Sequence, residues 1–94
     1  MEELTPKIRS ISSKSLLGTK VNNDQGEALG KIEEVMVNLE SGNVISLIMS
    51  TGSLLKKRVA IPWEMLKIDD ESQALSLDMD KDFLERIPAY QADQ

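Results

Sequence analysis

An acidic run at residues 78–82 is the part of the sequence closest to a metal-binding motif. It reads Asp-Met-Asp-Lys-Asp, the opening of a calcium-binding loop. Counted from Asp78, the sixth residue is Phe83, where the loop needs glycine, and the twelfth is Ala89, where it needs a bidentate glutamate. The run therefore predicts no metal site, and we expect Asp80 to cap a short helix instead.

Two further groups of carboxylates, Glu33 with Glu34 and residues 69–71, are of the type that performs acid–base chemistry in glycoside cleavage. Adjacent residues of a strand point to opposite faces, so Glu33 and Glu34 should not converge on one substrate. Residues 69–71 fall in a predicted exposed turn. We interpret both groups as solvated surface charge. If Glu33 faces inward, it needs a structural partner such as Lys31 or Arg58.

The basic residues Lys56, Lys57 and Arg58 form a possible phosphate-binding patch, which would serve nucleic acid or anionic lipid. The patch has no interleaved aromatic residues and lies in an acidic chain, which favours a solvated strand end.

Trp63 is the only tryptophan and follows a proline at a predicted bend. Packing at the core or its rim is the favoured role for Trp63, and a ligand-stacking platform is the alternative.

Leu54 and Leu55 lie in a glycine-containing loop between two predicted strands. Neither strand accounts for them, and exposed apolar loop residues are candidate anchors of a protein interface. Packing of the same loop over the end of the fold is an equally good explanation. They are the only interface residues that the sequence predicts.

The catalytic inventory is short, because the chain contains no cysteine and no histidine. This removes disulfides, thiolate chemistry, the commonest general base and the commonest transition-metal ligand. Ser12, Ser13 and Ser15 have no ordinary base to activate them, and the adjacent Lys14 has no evident desolvating pocket. We predict no catalytic residue, no metal site and no cofactor.

Length and charge set the broad class of the protein. The 94 residues are enough for one domain, with a predicted lead-in at 1–11, the domain at 12–90 and a tail at 91–94. The net charge of −5 opposes nonspecific binding to nucleic acid or anionic membranes. No apolar run is long enough to cross a bilayer, and the acidic N-terminus lacks the pattern of a secretory signal. A cytoplasmic protein without membrane insertion is therefore expected.

The strongest structural signal is a β-hairpin at residues 30–50, in which two apolar-rich runs flank a turn. A three-residue loop at 40–42 would pair Val37 with Ile45 and Val35 with Leu47, so that the apolar sets share a face. Gly42 would then occupy the left-handed position of the turn. Residues 44–49 are almost wholly apolar or β-branched, which predicts a central strand buried on both faces.

Four other short runs, at 21–23, 58–62, 67–68 and 74–78, also have strand character. A serine-capped turn of helix at 12–18 should dock both of its leucines, and a second helix at 80–87 carries an apolar stripe of Phe83, Leu84 and Ile87. Gly30 within a strand pattern indicates a bulge or a close backbone approach. The pattern as a whole predicts an all-β fold, a small six-stranded antiparallel β-barrel with a short C-terminal helix, since closure would remove exposed strand edges.

Several short motifs in a fixed order resemble the PRC-barrel family. They are Leu-Gly-Thr-Lys-Val at 17–21, Asp-Gln-Gly-Glu-Ala-Leu-Gly-Lys-Ile at 24–32, Leu-Glu-Ser-Gly-Asn-Val at 39–44 and Ala-Ile-Pro-Trp at 60–63. The resemblance covers roughly residues 12–90 and implies a six-stranded PRC-type barrel. Family members include the cytoplasmic domain of the photosynthetic reaction centre H subunit and the C-terminal domain of the ribosome maturation factor RimM, in which the barrel looks like a protein-binding module.

The resemblance and the short catalytic inventory together indicate a non-enzymatic interaction module that binds a protein partner and forms a homodimer. The alternative is a small-molecule-binding barrel, or a minor enzyme that uses surface carboxylates and Trp63. Nucleic-acid or anionic-lipid binding through Lys56, Lys57 and Arg58 is a third class.

Overall fold

The computed structural model of the protein describes residues 10–52, 57–69, 72 and 74–91. These residues form two short α-helices, six strands and one 3-10 turn. In chain order the elements are α1 (Ser13–Leu16), β1 (Lys20–Asn22), β2 (Ala28–Val37), β3 (Val44–Thr51), β4 (Arg58–Pro62), the 3-10 turn (Trp63–Met65), β5 (Leu66–Ile68), β6 (Leu75–Leu77) and α2 (Lys81–Arg86).

The six strands form one curled, mixed sheet in the order β4-β3-β2-β1-β6-β5. The prediction of an antiparallel closed barrel is wrong in two respects. The β1 and β6 strands run parallel, with Val21 opposite Leu75, and β4 and β5 stand at opposite ends of the strand order, so the sheet is a half-barrel. Both features depend on where the β5–β6 hairpin docks, and local sequence patterns do not specify contacts between distant strands.

The core joins the sheet to both helices, because buried strand side chains form one cluster with Leu16 of α1 and Leu84 of α2. Strand β3 lies between β2 and β4, and Leu47, Ile48 and Met49 are all fully buried. The prediction that residues 44–49 form a central strand is confirmed, and burial on both faces holds for residues 47–49. It is wrong for Ile45, which is 52% exposed.

The helices dock less completely than the sequence predicted. Leu16 is buried, but its neighbour Leu17 is 47% exposed, and Phe83 of α2 is 52% exposed beside the buried Leu84. With only four and six residues, the two helices present a single line of side chains to the core, so the adjacent apolar residue is left outside. The predicted caps are confirmed: Ser12 accepts from the Lys14 amide at 3.2 Å, and Asp80 accepts from the Phe83 amide at 2.7 Å.

The β2–β3 hairpin differs from its prediction at the loop. The Asn38 amide donates to the Asn43 carbonyl at 2.8 Å, and the Gly42 amide donates to the Asn38 carbonyl at 2.7 Å, so the loop contains four residues, 39–42. Val37 pairs with Val44, and an extra residue at Ile45 restores the predicted pairing of Val35 with Leu47. The predicted pairing of Val37 with Ile45 is wrong, because a bulge absorbs the longer loop.

Gly42 has φ of +80°, which confirms its predicted left-handed conformation. We expect Gly42→Ala to lower the free energy of unfolding by about 1 kcal/mol, because a Cβ is disfavoured at this φ although the site has open space around it. Thermal denaturation should show a loss of about 4 to 8 °C. Gly52→Ala is the matched control, since Gly52 also has open space but no positive φ. Equal melting temperatures for the two variants would contradict the prediction.

Candidate protein-interaction surface

Three large apolar side chains are exposed together at the end of the β2–β3 hairpin. Leu39 in the loop is 95% exposed, Val37 at the end of β2 is 46% exposed, and Ile45 at the start of β3 is 52% exposed. We refer to Val37, Leu39 and Ile45 as the hairpin-tip surface. Neighbouring apolar side chains that remain in solvent are typical of interaction sites, whereas single exposed ones need no explanation.

The loop that carries Leu39 is held by side-chain hydrogen bonds. Asn38 Oδ1 accepts from the amides of Glu40 at 2.8 Å and Ser41 at 3.2 Å, and Ser41 Oγ accepts from the Asn43 amide at 3.2 Å. These bonds restrict the loop backbone, so a partner that binds Leu39 would lose little conformational entropy in ordering the loop.

A cleft of about 420 Å³ adjoins the hairpin tip. Its lining combines small polar and apolar side chains from the hairpin, β3, β4 and the 3-10 turn: Asn38, Ser41, Asn43, Val44, Ile45, Ser46, Ala60, Pro62 and Glu64. The cleft gives the same end of the molecule a concave surface beside the protruding Leu39. A second cleft, of about 400 Å³, lies between the β6–α2 connection and the 3-10 turn and is lined by Gln25, Met65, Asp78, Met79, Asp80 and Phe83.

The prediction for Glu33 and Glu34 is wrong in its geometry. The register between β2 and β3 shifts between Ile32 and Glu34, so that Glu33 is an extra residue in the strand. A bulge of this kind turns two consecutive side chains to one side. Glu33 and Glu34 accordingly both form ion pairs with Arg58, with a distance of 3.3 Å between Glu33 Oε1 and Arg58 Nε.

This arrangement is a structural ion-pair cluster. Arg58 was one of the two partners predicted for Glu33, but the cluster lies on the surface, because all three side chains are between 43% and 48% exposed. Its contribution to stability is therefore small. Each carboxylate has the guanidinium of Arg58 as its ion-pair partner.

Two residues of the basic run have structural contacts. Lys57 Nζ donates to the Glu85 carbonyl at 2.8 Å and to the Ile87 carbonyl at 2.7 Å, at the C-terminal end of α2. A lysine in this position satisfies carbonyls that the helix leaves unpaired and complements its dipole. With Arg58 paired to Glu33 and Glu34, these contacts favour the structural interpretation of the run over phosphate binding. Lys56, like the predicted interface residues Leu54 and Leu55, lies outside the described residues.

Trp63 and Asp69, two further candidates from the sequence, have contacts that support the fold. Trp63 is half-buried and packs against the core, which confirms the favoured role. Asp69 Oδ2 accepts from Ser72 Oγ at 2.6 Å and from the Ser72 amide at 3.0 Å. These hydrogen bonds, the one from the hydroxyl first, lower the pKa of the Asp69 carboxyl. Among the residues that the structure describes, no three carboxylates are grouped so as to hold a metal ion.

The sequence did not predict the hairpin-tip surface. Val37 was predicted to pair with Ile45, Ile45 was assigned to a covered strand, and Leu39 lay just before the predicted loop at 40–42. The available signal was the apolar Leu39 beside a turn of polar residues and glycine. The bulge that exposes Ile45 has no such signal.

Within the described part of the chain, neither helix has the length and apolar character that a membrane span requires.

A comparison with models of protein families supports the resemblance given by the short motifs. A search of curated proteins returned no match. The family model of the PRC-barrel domain matches residues 9–84, more than three quarters of the 94 residues. The six-stranded curled sheet and the short C-terminal helix are the fold that this resemblance implied, apart from the open edge and the parallel pair. The chain therefore belongs to the PRC-barrel domain family.

Proposed function

We propose that this protein is a non-enzymatic interaction module, which binds a protein partner and associates with a second copy of itself through the hairpin-tip surface. The observation that carries the proposal is the exposure of Val37, Leu39 and Ile45 at one end of the hairpin, with Leu39 held 95% exposed on a hydrogen-bonded loop. An apolar side chain that projects in this way is a typical anchor of an interface.

The shape of this end of the molecule supports self-association. A two-fold contact places the same surface of both copies together, so it needs a surface that fits itself. The protruding Leu39 lies next to a cleft whose lining includes the apolar Val44, Ile45 and Pro62. In a two-fold pair, Leu39 of each copy could insert into the cleft of the other.

The rival enzymatic function would need carboxylates that are free to exchange protons. Glu33 and Glu34 face Arg58, and Asp80 caps α2, so these carboxylates have structural partners. Their pairing supports the non-enzymatic proposal. The cytoplasmic location and the domain boundaries at 12–90 stay predictions from the sequence.

The proposal is tested with Leu39→Ser, with Leu17→Ser as the matched control. Leu17 is an exposed leucine on a different element, at the end of α1. We expect the parent chain to show concentration-dependent dimerisation in sedimentation velocity up to about 1 mM, and Leu39→Ser to weaken it at least about tenfold. Leu17→Ser should dimerise like the parent.

The partner is sought by chemical crosslinking in the source cell, with the parent and both variants as baits. We expect one partner that is captured by the parent and by Leu17→Ser but lost with Leu39→Ser. A parent chain that stays monomeric and captures no reproducible partner would overturn the proposal. Equal losses with Leu39→Ser and Leu17→Ser would show that the hairpin tip is not the interface.

A further inference from the structure

Strand β4 is one of the two edge strands of the sheet, the other being β5. One hydrogen bond shows in which direction the backbone groups of β4 point. The Thr51 amide donates to the Lys57 carbonyl at 2.8 Å, so the Lys57 carbonyl points towards β3. Backbone groups alternate in direction along a strand. Those of Arg58, Ala60 and Pro62 therefore point away from β3, and within the described ranges no other strand pairs with β4 on that side.

The chain covers one end of this edge with its own C-terminal segment. The Tyr90 amide donates to the Arg58 carbonyl at 2.6 Å, and Arg58 Cζ lies 6.0 Å from the centre of the Tyr90 ring. The Lys57 ammonium holds the preceding stretch by its bonds to the carbonyls of Glu85 and Ile87. We refer to residues 87–91 as the guard segment.

An open strand edge is a template for pairing with another chain, and covering it with a loop is a common way to prevent this. Ile87 anchors the start of the guard segment, because it packs against the core and its carbonyl accepts from Lys57. Beyond Ile87, the contacts that the structure describes between the segment and β4 are one backbone hydrogen bond and one cation–π contact. Each such contact contributes little net free energy. The segment is therefore suited to reversible displacement, as surface segments with few buried contacts open most readily.

We propose that the guard segment is a reversible stop on strand addition at β4, and that its displacement lets β4 pair with β4 of a second copy. The pairing is antiparallel about a two-fold axis at Ala60. In this register the amide and carbonyl of each Ala60 exchange hydrogen bonds, and the outward Arg58 amide faces the Pro62 carbonyl of the second copy. Pro62 has no amide hydrogen, so the ladder ends there.

Two details favour a second copy as the occupant. The register places each Arg58 opposite a proline of the other strand, so no like charges meet. It also places Pro62 of the second copy beside the Arg58 carbonyl. This carbonyl is the group that accepts the hydrogen bond from the Tyr90 amide when the guard segment is in place. The guard segment and a second β4 strand therefore cannot lie against this part of β4 at the same time. Ala60 and Pro62 also line the cleft beside the hairpin tip. Leu39 takes no part in the β4 pairing, so Leu39→Ser removes the hairpin-tip contact and leaves the backbone groups of β4 unchanged.

The test uses the Leu39→Ser chain as background, so that association through the hairpin tip does not contribute. Tyr90→Pro removes the guarding amide hydrogen, and a chain that ends at Pro88 removes the rest of the segment. Tyr90→Ala removes only the ring, and Gln91→Ala is the control. We expect the association constant from sedimentation to rise at least about tenfold for Tyr90→Pro and for the shortened chain. It should rise less for Tyr90→Ala and stay unchanged for Gln91→Ala.

The Ala60→Pro variant tests whether the two copies associate through the β4 edge. Proline is tolerated on an edge strand where the amide faces solvent, and it removes the donor that the two-fold pairing needs. Adding Ala60→Pro to the Tyr90→Pro chain should return the association constant to that of the background. In the Tyr90→Pro chain at high concentration, the Ala60 amide should become protected from hydrogen exchange.

Circular dichroism checks that each variant is folded. If the shortened chain does not fold, the association constant of the Tyr90→Pro chain still tests the proposal. A Tyr90→Pro chain that stays monomeric up to about 1 mM would overturn the proposal. So would association that Ala60→Pro leaves intact. Either result leaves the function of the hairpin tip untouched, because Leu39 is already absent from the background.

Discussion

The Gly30→Ala variant is expected to lose about 3 kcal/mol of unfolding free energy, the largest effect among the glycine-to-alanine changes, because Gly30 is the one glycine whose added Cβ would meet other atoms. An ideal Cβ at Gly30 would lie 2.9 Å from Met49 Cγ and closer still to the carbonyl oxygen of Ser50. The Ser50 carbonyl is backbone of β3, in a residue paired with strands on both sides, and cannot turn aside as a side chain can. The β2 strand must therefore move away from β3 to accept the new atom.

The position of Gly30 explains why this movement is costly. Gly30 pairs with Thr51 of β3 on one side and with Val21 of β1 on the other. A shift of β2 at this point disturbs both ladders, and the register of β1 is already irregular between Val21 and Asn22. A loss of about 3 kcal/mol is a large share of the 5 to 15 kcal/mol, roughly, that stabilises a small domain.

Differential scanning calorimetry or urea denaturation measures the effect. We expect the melting temperature to fall by more than about 10 °C for Gly30→Ala. The fall should be smaller for Gly42→Ala, which is strained but uncrowded, and near zero for Gly52→Ala. A Gly30→Ala chain as stable as Gly52→Ala would show that β2 and β3 do not approach as closely as the structure has them.

Asn23 is the site of the second large effect, and it is the most heavily hydrogen-bonded buried polar side chain in the described part of the protein. It is 5% exposed. Its Oδ1 accepts from the amides of Gln25 at 3.0 Å and Glu27 at 2.9 Å, which closes the turn between β1 and β2. Its Nδ2 donates to the Met79 carbonyl at 3.3 Å and to Glu27 Oε1 at 2.8 Å. One side chain thus joins a local turn to the connection before α2.

Replacing Asn23 by alanine should lower the free energy of unfolding by about 2 to 3 kcal/mol, because two partly buried amides and the buried Met79 carbonyl lose their partner. Asn22→Ala is the matched control, since Asn22 is the adjacent asparagine but is exposed. Asn23→Asp keeps the acceptor for the two amides but places a negative charge against the Met79 carbonyl and Glu27, so it should not restore stability at neutral pH.

Urea denaturation gives the free energies, and hydrogen exchange at the amides of Gln25 and Glu27 reports the turn directly. Both amides should exchange faster in Asn23→Ala than in the parent. A variant that keeps both the stability and the protection of these amides would contradict the prediction.

The candidate site was less predictable than the strands. The sequence indicated Leu54 and Leu55 as interface residues because they are apolar in a loop, and these lie outside the described residues. The exposure of Ile45 follows from a bulge opposite Val37, and the convergence of Glu33 and Glu34 on Arg58 follows from another. A bulge reverses the alternation of faces from that residue on, so strand periodicity alone assigned these side chains to the wrong side.

The sequence by itself determined the local elements, because turns, caps and strand alternation depend on residues close together in the chain. Gly42 required a left-handed turn, Asp80 capped a helix, and the apolar run at 44–49 formed a strand that is buried on both faces at residues 47–49. The ordered motifs also indicated the PRC-barrel family. Only the tertiary structure decided that β6 runs parallel to β1 and that β4 remains an open edge. Strand partners far apart in sequence are chosen by the packing of the whole core, which no local pattern records.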